Sequence, residues 1–208
     1  MRDGSPFTGE PVDSNEAIMY ATFCALQEHG YAGLSIQRIA DQTDLSKSTF
    51  YHHFDGKEDL LLSFVEFMLR EFHEIFQLES TGDPVEDLRT YVALLLGNHP
   101  VMAEVPEAVE VRSAFLELRA QAIRDPNFRA KFTEMDEQFT SQLAEILATG
   151  IEQGVFADED PDQTAKLLLT IAQGINFQKV TRTDDPGPSL TDAFEQYIER
   201  EVMVDRRA

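Results

Sequence analysis

Wherever apolar residues cluster in this chain they recur three and four positions apart, and nowhere do they alternate with period two over the length of a strand. That regularity restricts the fold to helices packed on helices, because three-and-four spacing gathers side chains on one helix face whereas a strand needs every second residue. The apolar runs are cut at Thr81-Gly82-Asp83-Pro84, Asn98-His99-Pro100, Asp125-Pro126, Gly154 to Pro161 and Asp184 to Pro188, all built from turn-forming residues. Between these breaks the pattern predicts long helices over roughly 57–78, 84–97, 104–124, 127–153, 161–182 and 189–204. Before residue 57 the segments are shorter. Asp13 or Ser14 caps a first helix that turns Ile18, Ala21, Thr22, Ala25 and Leu26 to one side and stops at Gly30. Ser35 caps a second helix with Ile36, Ile39 and Ala40 inward. After a tight turn at Thr43-Asp44, Ser46 caps a third running to about Phe54, where Asp55-Gly56 breaks the chain. The expected fold is all-α: three short helices over 13–56, then a bundle of about six longer ones over 57–208, behind a disordered arm over residues 1–12.

Composition allows this and narrows the setting. With 208 residues, 42% of them hydrophobic, one or two compact domains can bury a core, and the chain is far from the composition of disordered proteins. Cys24 is the only cysteine, so neither an internal disulfide nor a cysteine-based metal site can form, and on an apolar helix face its expected role is packing. No apolar run approaches the about 20 residues that cross a bilayer, so no membrane partner is expected. The first residues show no basic segment followed by an apolar one, the pattern of a secretory signal. A soluble, cytoplasmic protein is the expectation.

The charge balance is unusual. Seventeen Lys and Arg stand against 38 Asp and Glu, for a formal net charge of −21. Lys47, Lys57, Lys131, Lys166 and Lys179 are the only lysines. Acid excess with scarce lysine suits a halophilic organism, whose cytoplasm screens repulsion between carboxylates over about 3 Å at 1 M salt. The alternative is a generally acidic surface that keeps the protein in solution. Either way, phosphate-bearing partners are disfavoured by the chain as a whole.

The third short helix is a local exception. Projected at about 100° per residue, Leu45, Phe50 and Phe54 cover one half, and Lys47, Ser48, Tyr51 and His52 cover the other, which holds no carboxylate. Such a face meets a polyanion without the repulsion present elsewhere, and a helix-turn-helix places a second helix of this kind in the major groove. The stretch GYAGLSIQRIADQTDLSKSTFYHHFDGKEDLL, residues 30–61, closely resembles the DNA-binding segment of the TetR/AcrR family of transcriptional regulators, with its Gly-Tyr, Ile-Ala and Ser-Lys-x-x-x-Tyr-x-His-Phe in this order. The resemblance covers about a quarter of the chain. It implies a homodimeric repressor whose first three helices bind operator DNA, whose divergent bundle binds a small ligand, and whose last two helices dimerise.

Residue by residue, the resemblance places Ser35 on a phosphate, Gln37 at base edges, and Lys47 on a base or phosphate with Ser46, Ser48 and Thr49 beside it. It places Tyr51, His52 and His53 on the backbone, and Lys57 on a phosphate while linking DNA binding to the ligand domain. Tyr51 could instead pack on the first helix. This chain departs from the family pattern at Asp44 and Ser48, where glycine or a small residue is usual, and Asp44 adds charge near the DNA. Residues 1–60 carry four basic against ten acidic side chains, net −6, so specificity must lean on base contacts and DNA shape. His52 and His53 point about 100° apart on a helix and cannot easily share a metal with Asp55 and Glu58; no metal and no cofactor is expected.

The long helices carry many of the 15 phenylalanines, most of which must fill the core. The resemblance implies a cavity among them, with Phe67, Arg70, His73, Tyr91, Arg112, Phe132, Phe139 and Gln178 as candidate lining. An apolar or aromatic effector is favoured because neither a Gly-rich phosphate loop nor an amide cluster appears. Residues 165–177 are apolar nearly all round their helix, so both sides must be buried. Leu168, Ile171 and Ile175 there, with Leu190, Phe194, Tyr197 and Ile198 on the last helix, are the candidate dimer interface, although the last helix could fold back over the exposed side of its own bundle. A helical sensor or carrier that does not bind DNA is the runner-up. An enzyme comes third, because no nucleophile elbow, HExxH or phosphate loop positions the Ser, His and acidic residues.

Overall fold

The computed structural model of the chain describes residues 11, 13–76, 80–100, 108–184 and 187–204, with side chains for all of these except 72–76, 108–111 and 187–188. The expected arm over 1–12, apart from Pro11, and the candidate side chain of His73 lie outside the described residues. The chain is all-α. In order come α1 (Ser14–Gly33), α2 (Ile36–Ala40), α3 (Lys47–His53), α4 (Lys57–Phe76), α5 (Pro84–Leu95), α6 (Ala108–Gln121), α7 (Pro126–Glu152), α8 (Pro161–Thr181) and α9 (Gly187–Tyr197), with a π-helical turn at Ile198–Val202.

These helices gather into two compact units. The first holds α1 to α4, α6 and the first turns of α7; the second holds α5, the rest of α7, α8, α9 and the π turn. Packing thus divides the chain differently from the boundary drawn after residue 56. The three short helices are too small to close a core alone. Leu60, Leu61, Phe64 and Val65 of α4, Ala114 and Leu118 of α6, and Phe128 and Phe132 of α7 complete it around Ile18, Phe23, Ile39 and Phe50. Inside this core the Thr22 hydroxyl donates to the Ile18 carbonyl at 2.7 Å, which satisfies its polar group without a partner helix.

Asp13 caps α1 by accepting from the Glu16 N–H at 2.8 Å. The expected stop at Gly30 is present in altered form: Gly30 leaves helical geometry at φ 61° and ψ 170°, and one further turn carries α1 to Gly33.

In the second unit, α5 starts from a tight knot. Asp83 caps it by accepting from the Val85 N–H, while buried Asp87 accepts from the Ser80 hydroxyl at 2.6 Å, the Thr81 hydroxyl at 2.7 Å and the Thr81 N–H at 2.9 Å. The other end of α5 is closed from α8: Asn176 Nδ2 donates to the Leu95 carbonyl at 2.8 Å and Lys179 Nζ to the Leu96 carbonyl at 3.0 Å. These side chains satisfy carbonyls that a helix end leaves without partners. After the break at Gly154, residues 155–157 lie antiparallel to 202–204, with Ala157 N–H donating to the Val202 carbonyl and Val204 N–H to the Val155 carbonyl. This short pairing draws the π turn against the end of α7.

The residues expected at the dimer interface differ in burial within one copy. Leu168 and Ile175 are buried inside the unit, as are Phe194 and Ile198, while Ile171, Leu190 and Tyr197 are half-buried. The apolar stripe of α9 is therefore core within a single copy. The outward stripe of α8 runs through Leu167, Thr170, Gly174 and Phe177, all exposed, and Phe177 is 55% accessible. Hydropathy alone could not rank two apolar sides of one helix; the neighbours that cover one side did so.

Candidate nucleic-acid interface

The recognition segment is built from two caps and one anchor. Ser35 Oγ accepts from the Arg38 N–H at 3.3 Å and starts α2, and Ser46 Oγ accepts from the Thr49 N–H at 3.3 Å and starts α3. Phe50, fully buried, pins α3 to the core, and Phe54, 7% accessible, ends it inward. With that side fixed, Lys47, Ser48, Tyr51, His52 and His53 are all exposed, and Tyr51 is 56% accessible. The carboxylate-free edge deduced from the helix wheel faces outward.

Within this edge the structure groups the side chains. The hydroxyls of Ser46, Ser48 and Thr49 form a cluster, with Ser46 Oγ 2.7 Å from Ser48 Oγ and 2.9 Å from Thr49 Oγ1. The Lys47 ammonium lies 5.9 Å from the centre of the Tyr51 ring. The His52 and His53 rings meet edge-on at 5.5 Å, and His53 lies 6.1 Å from Phe54. Hydroxyls, an ammonium and imidazoles make a surface of donors and small acceptors suited to phosphate oxygens and base edges. Gln37, exposed on α2, donates from Nε2 to Asp41 Oδ1 at 2.7 Å, which steadies the side chain and leaves its second N–H and its Oε1 to read a base.

Lys57 sits differently from the rest. It is half-buried, donates to the Tyr31 carbonyl at 2.8 Å and lies 4.3 Å from the centre of the Tyr31 ring. Burial raises the pKa of the Tyr31 phenol, and the charges of Glu58 and Asp125 raise it further, so the ring stays neutral beneath the cation. Sequence reasoning had no means to find the partner on the other side of this junction, Glu117 of α6, whose carboxylate accepts from the Tyr31 N–H. The contact spans 86 positions of sequence.

The candidate pocket residues fall in both units. In the first, Phe67 and Phe132 are buried, Arg70 is exposed with its guanidinium 5.9 Å from the Phe67 ring, and Arg112 is half-buried. The Phe132 ring is flanked edge-on by Phe115 at 5.3 Å and by the Arg119 guanidinium at 5.3 Å. In the second, Phe139 and Gln178 are half-buried. Tyr91 is 1% accessible, and its hydroxyl lies 3.1 Å from the Phe139 carbonyl and 3.0 Å from Gln142 Oε1. Burial drives its pKa far above the usual phenol value, which marks a core tyrosine held by the bundle. One cavity in the first unit, of about 10 Å³, is lined by Phe23, Phe64, Met68 and Phe115 among others. That volume holds about one water molecule. Among the described residues, no three His, Cys, Asp or Glu side chains are placed to share a metal ion. No described helix is long and apolar enough to cross a membrane.

Comparison with known proteins assigns the two parts of the chain. Residues 18–64 match the model of bacterial regulatory proteins of the tetR family, and residues 84–202 match that of the BetI-type transcriptional repressor C-terminal region. The chain is 28% identical over 196 residues to the HTH-type transcriptional repressor AcnR of Corynebacterium efficiens, covering 93% of this chain and 97% of that one. A TetR transcription regulator from Haloarcula marismortui has a similar crystal structure, with a TM-score of 0.82 and 32% identity over 91% of this chain and 98% of that one. A putative transcriptional regulator from Saccharomonospora viridis, solved in complex with choline, shares the fold at a TM-score of 0.77 and 22% identity, over 92% of this chain and 98% of that one. Matches that run from the helix-turn-helix through the bundle leave no place for the enzyme reading: this chain belongs to the TetR family of DNA-binding transcriptional regulators and carries a BetI-type repressor C-terminal region.

Proposed function

We propose that the protein is a homodimeric cytoplasmic repressor, released from double-stranded operator DNA by a small apolar or aromatic effector. The observation that carries this reading is the exposed edge from Lys47 to His53, free of carboxylate in a chain of net charge −21. Lys47, Ser46, Ser48 and Thr49 contact bases and neighbouring phosphates, Tyr51, His52 and His53 clamp the backbone, and Ser35 and Gln37 add contacts from α2. Two copies pair through the outward side of α8, where Thr170 and Gly174 let backbones approach between Leu167 and Phe177. The effector shifts the spacing of the two recognition helices by preferring one state of the bundle.

The acid excess supports a halophilic setting, in which phosphate attraction is weak and base contacts carry the specificity. Sequencing duplexes retained from a random pool by the purified protein, across a salt series up to multi-molar, tests this directly. The expected result is a palindromic site whose retention is weakened in Lys47→Ala and Tyr51→Ala. Retention of no duplex at any salt favours the DNA-independent sensor instead, and equal retention by both variants overturns the placement of the contacts on this edge.

A further inference from the structure

Only three basic side chains lie between residues 13 and 60: Arg38, Lys47 and Lys57. Two of them turn to carbonyls of the same short turn, Lys57 to Tyr31 at 2.8 Å and Arg38 to Gly33. The Tyr31 N–H, which the geometry of Gly30 removes from the helical ladder, is taken by the Glu117 carboxylate of α6. Three charged groups from α2, α4 and α6 thus close on the turn that ends α1 and leads directly to Ser35, the cap of α2. We infer that Glu117 is a positioning residue for operator binding, which fixes the α1–α2 turn together with Lys57 and Arg38 and itself makes no phosphate contact. The inference rests on the regulator reading above.

The chemistry favours this assignment. A hydrogen bond from a peptide N–H to a carboxylate, or from an ammonium to a carbonyl, is charge-assisted and short-ranged. The half-buried Lys57 also lies over the Tyr31 ring, a contact that salt screens less than an exposed ion pair. The ammonium keeps two further N–H groups beside this bond, so Lys57 can hold the turn and face the duplex at the same time.

The test uses the full-length protein and a duplex that the parent selects from a random pool. Affinity is measured over a salt series for Glu117→Ala, Glu117→Gln and Lys47→Ala, and amide hydrogen exchange is followed over residues 30–36. We expect Glu117→Ala to weaken binding at least about fivefold while leaving the salt slope at the parent value. Exchange over 30–36 should accelerate in this variant. Glu117→Gln, which keeps an acceptor for the Tyr31 N–H, should recover most of the affinity. Lys47→Ala should lower the slope by about 0.9 without changing that exchange. The inference is overturned if Glu117→Ala binds like the parent, or if it weakens binding with exchange over 30–36 unchanged. If the parent retains no duplex at all, the regulator reading fails and takes this inference with it.

Discussion

At the scale of single residues, two glycines and one aspartate show how little room the fold leaves. A Cβ on Gly150 would fall 2.0 Å from the Phe156 ring, which lies flat on α7 at that point. Gly150→Ala must displace the ring, so we expect a loss of at least about 1–3 kcal/mol in denaturant unfolding, partly restored by combining it with Phe156→Leu. Gly30 combines φ 61° with a would-be Cβ 3.2 Å from Glu117 Oε2. Gly30→Ala should cost about 1–2 kcal/mol from backbone strain, measurable as a lower midpoint of thermal unfolding. For Asp87, burial pushes the carboxyl pKa up, but the hydrogen bonds from Ser80 and Thr81 outweigh it, and the net shift is downward. A carboxyl with a lowered folded-state pKa adds stability above its unfolded value near about 3.9, and that stability fades as the pH falls through the folded value. Asp87→Ala should therefore cost about 1–3 kcal/mol near neutrality, and the difference from the parent should shrink on acidification below about pH 4.

At the scale of elements, the caps were legible because they act locally. Ser35, Ser46 and the aspartates before α1 and α5 each stand one residue ahead of their helix and accept from its first turn. Ser46 matters most, since α3 is only seven residues long and a short helix depends on its cap and its anchor. Ser46→Ala should destabilise by about 1 kcal/mol and raise hydrogen exchange within residues 47–53, while the far end of α4 is unaffected. Other devices have no local signature. The side chains that close α5 come from α8, 81 positions away in the case of Asn176, and nothing near Leu95 announces them. The π turn at Ile198–Val202 is equally hidden, because its extra residue matters only where the chain must meet residues 155–157.

At the scale of the whole molecule, net charge and surface decide how the protein behaves in solution. On the halophilic reading proposed above, a chain of −21 should lose helicity, read by circular dichroism at 222 nm, on dialysis to low salt and regain it at about 2–3 M. On the pairing proposed above, the parent should scatter light as a dimer at micromolar concentration and Phe177→Glu, on the outward side of α8, as a monomer, whereas Ile175→Val, inside the core, should behave as the parent. The all-α class, the helix breaks and the outward edge of α3 follow from the sequence by itself, because spacing, turn chemistry and capping depend on residues a few positions apart. The buried side of α8, the inward turn of Lys57 and the Glu117 contact with Tyr31 were decided only by tertiary structure. Each depends on which distant helix arrives alongside, and three-and-four periodicity carries no record of that neighbour.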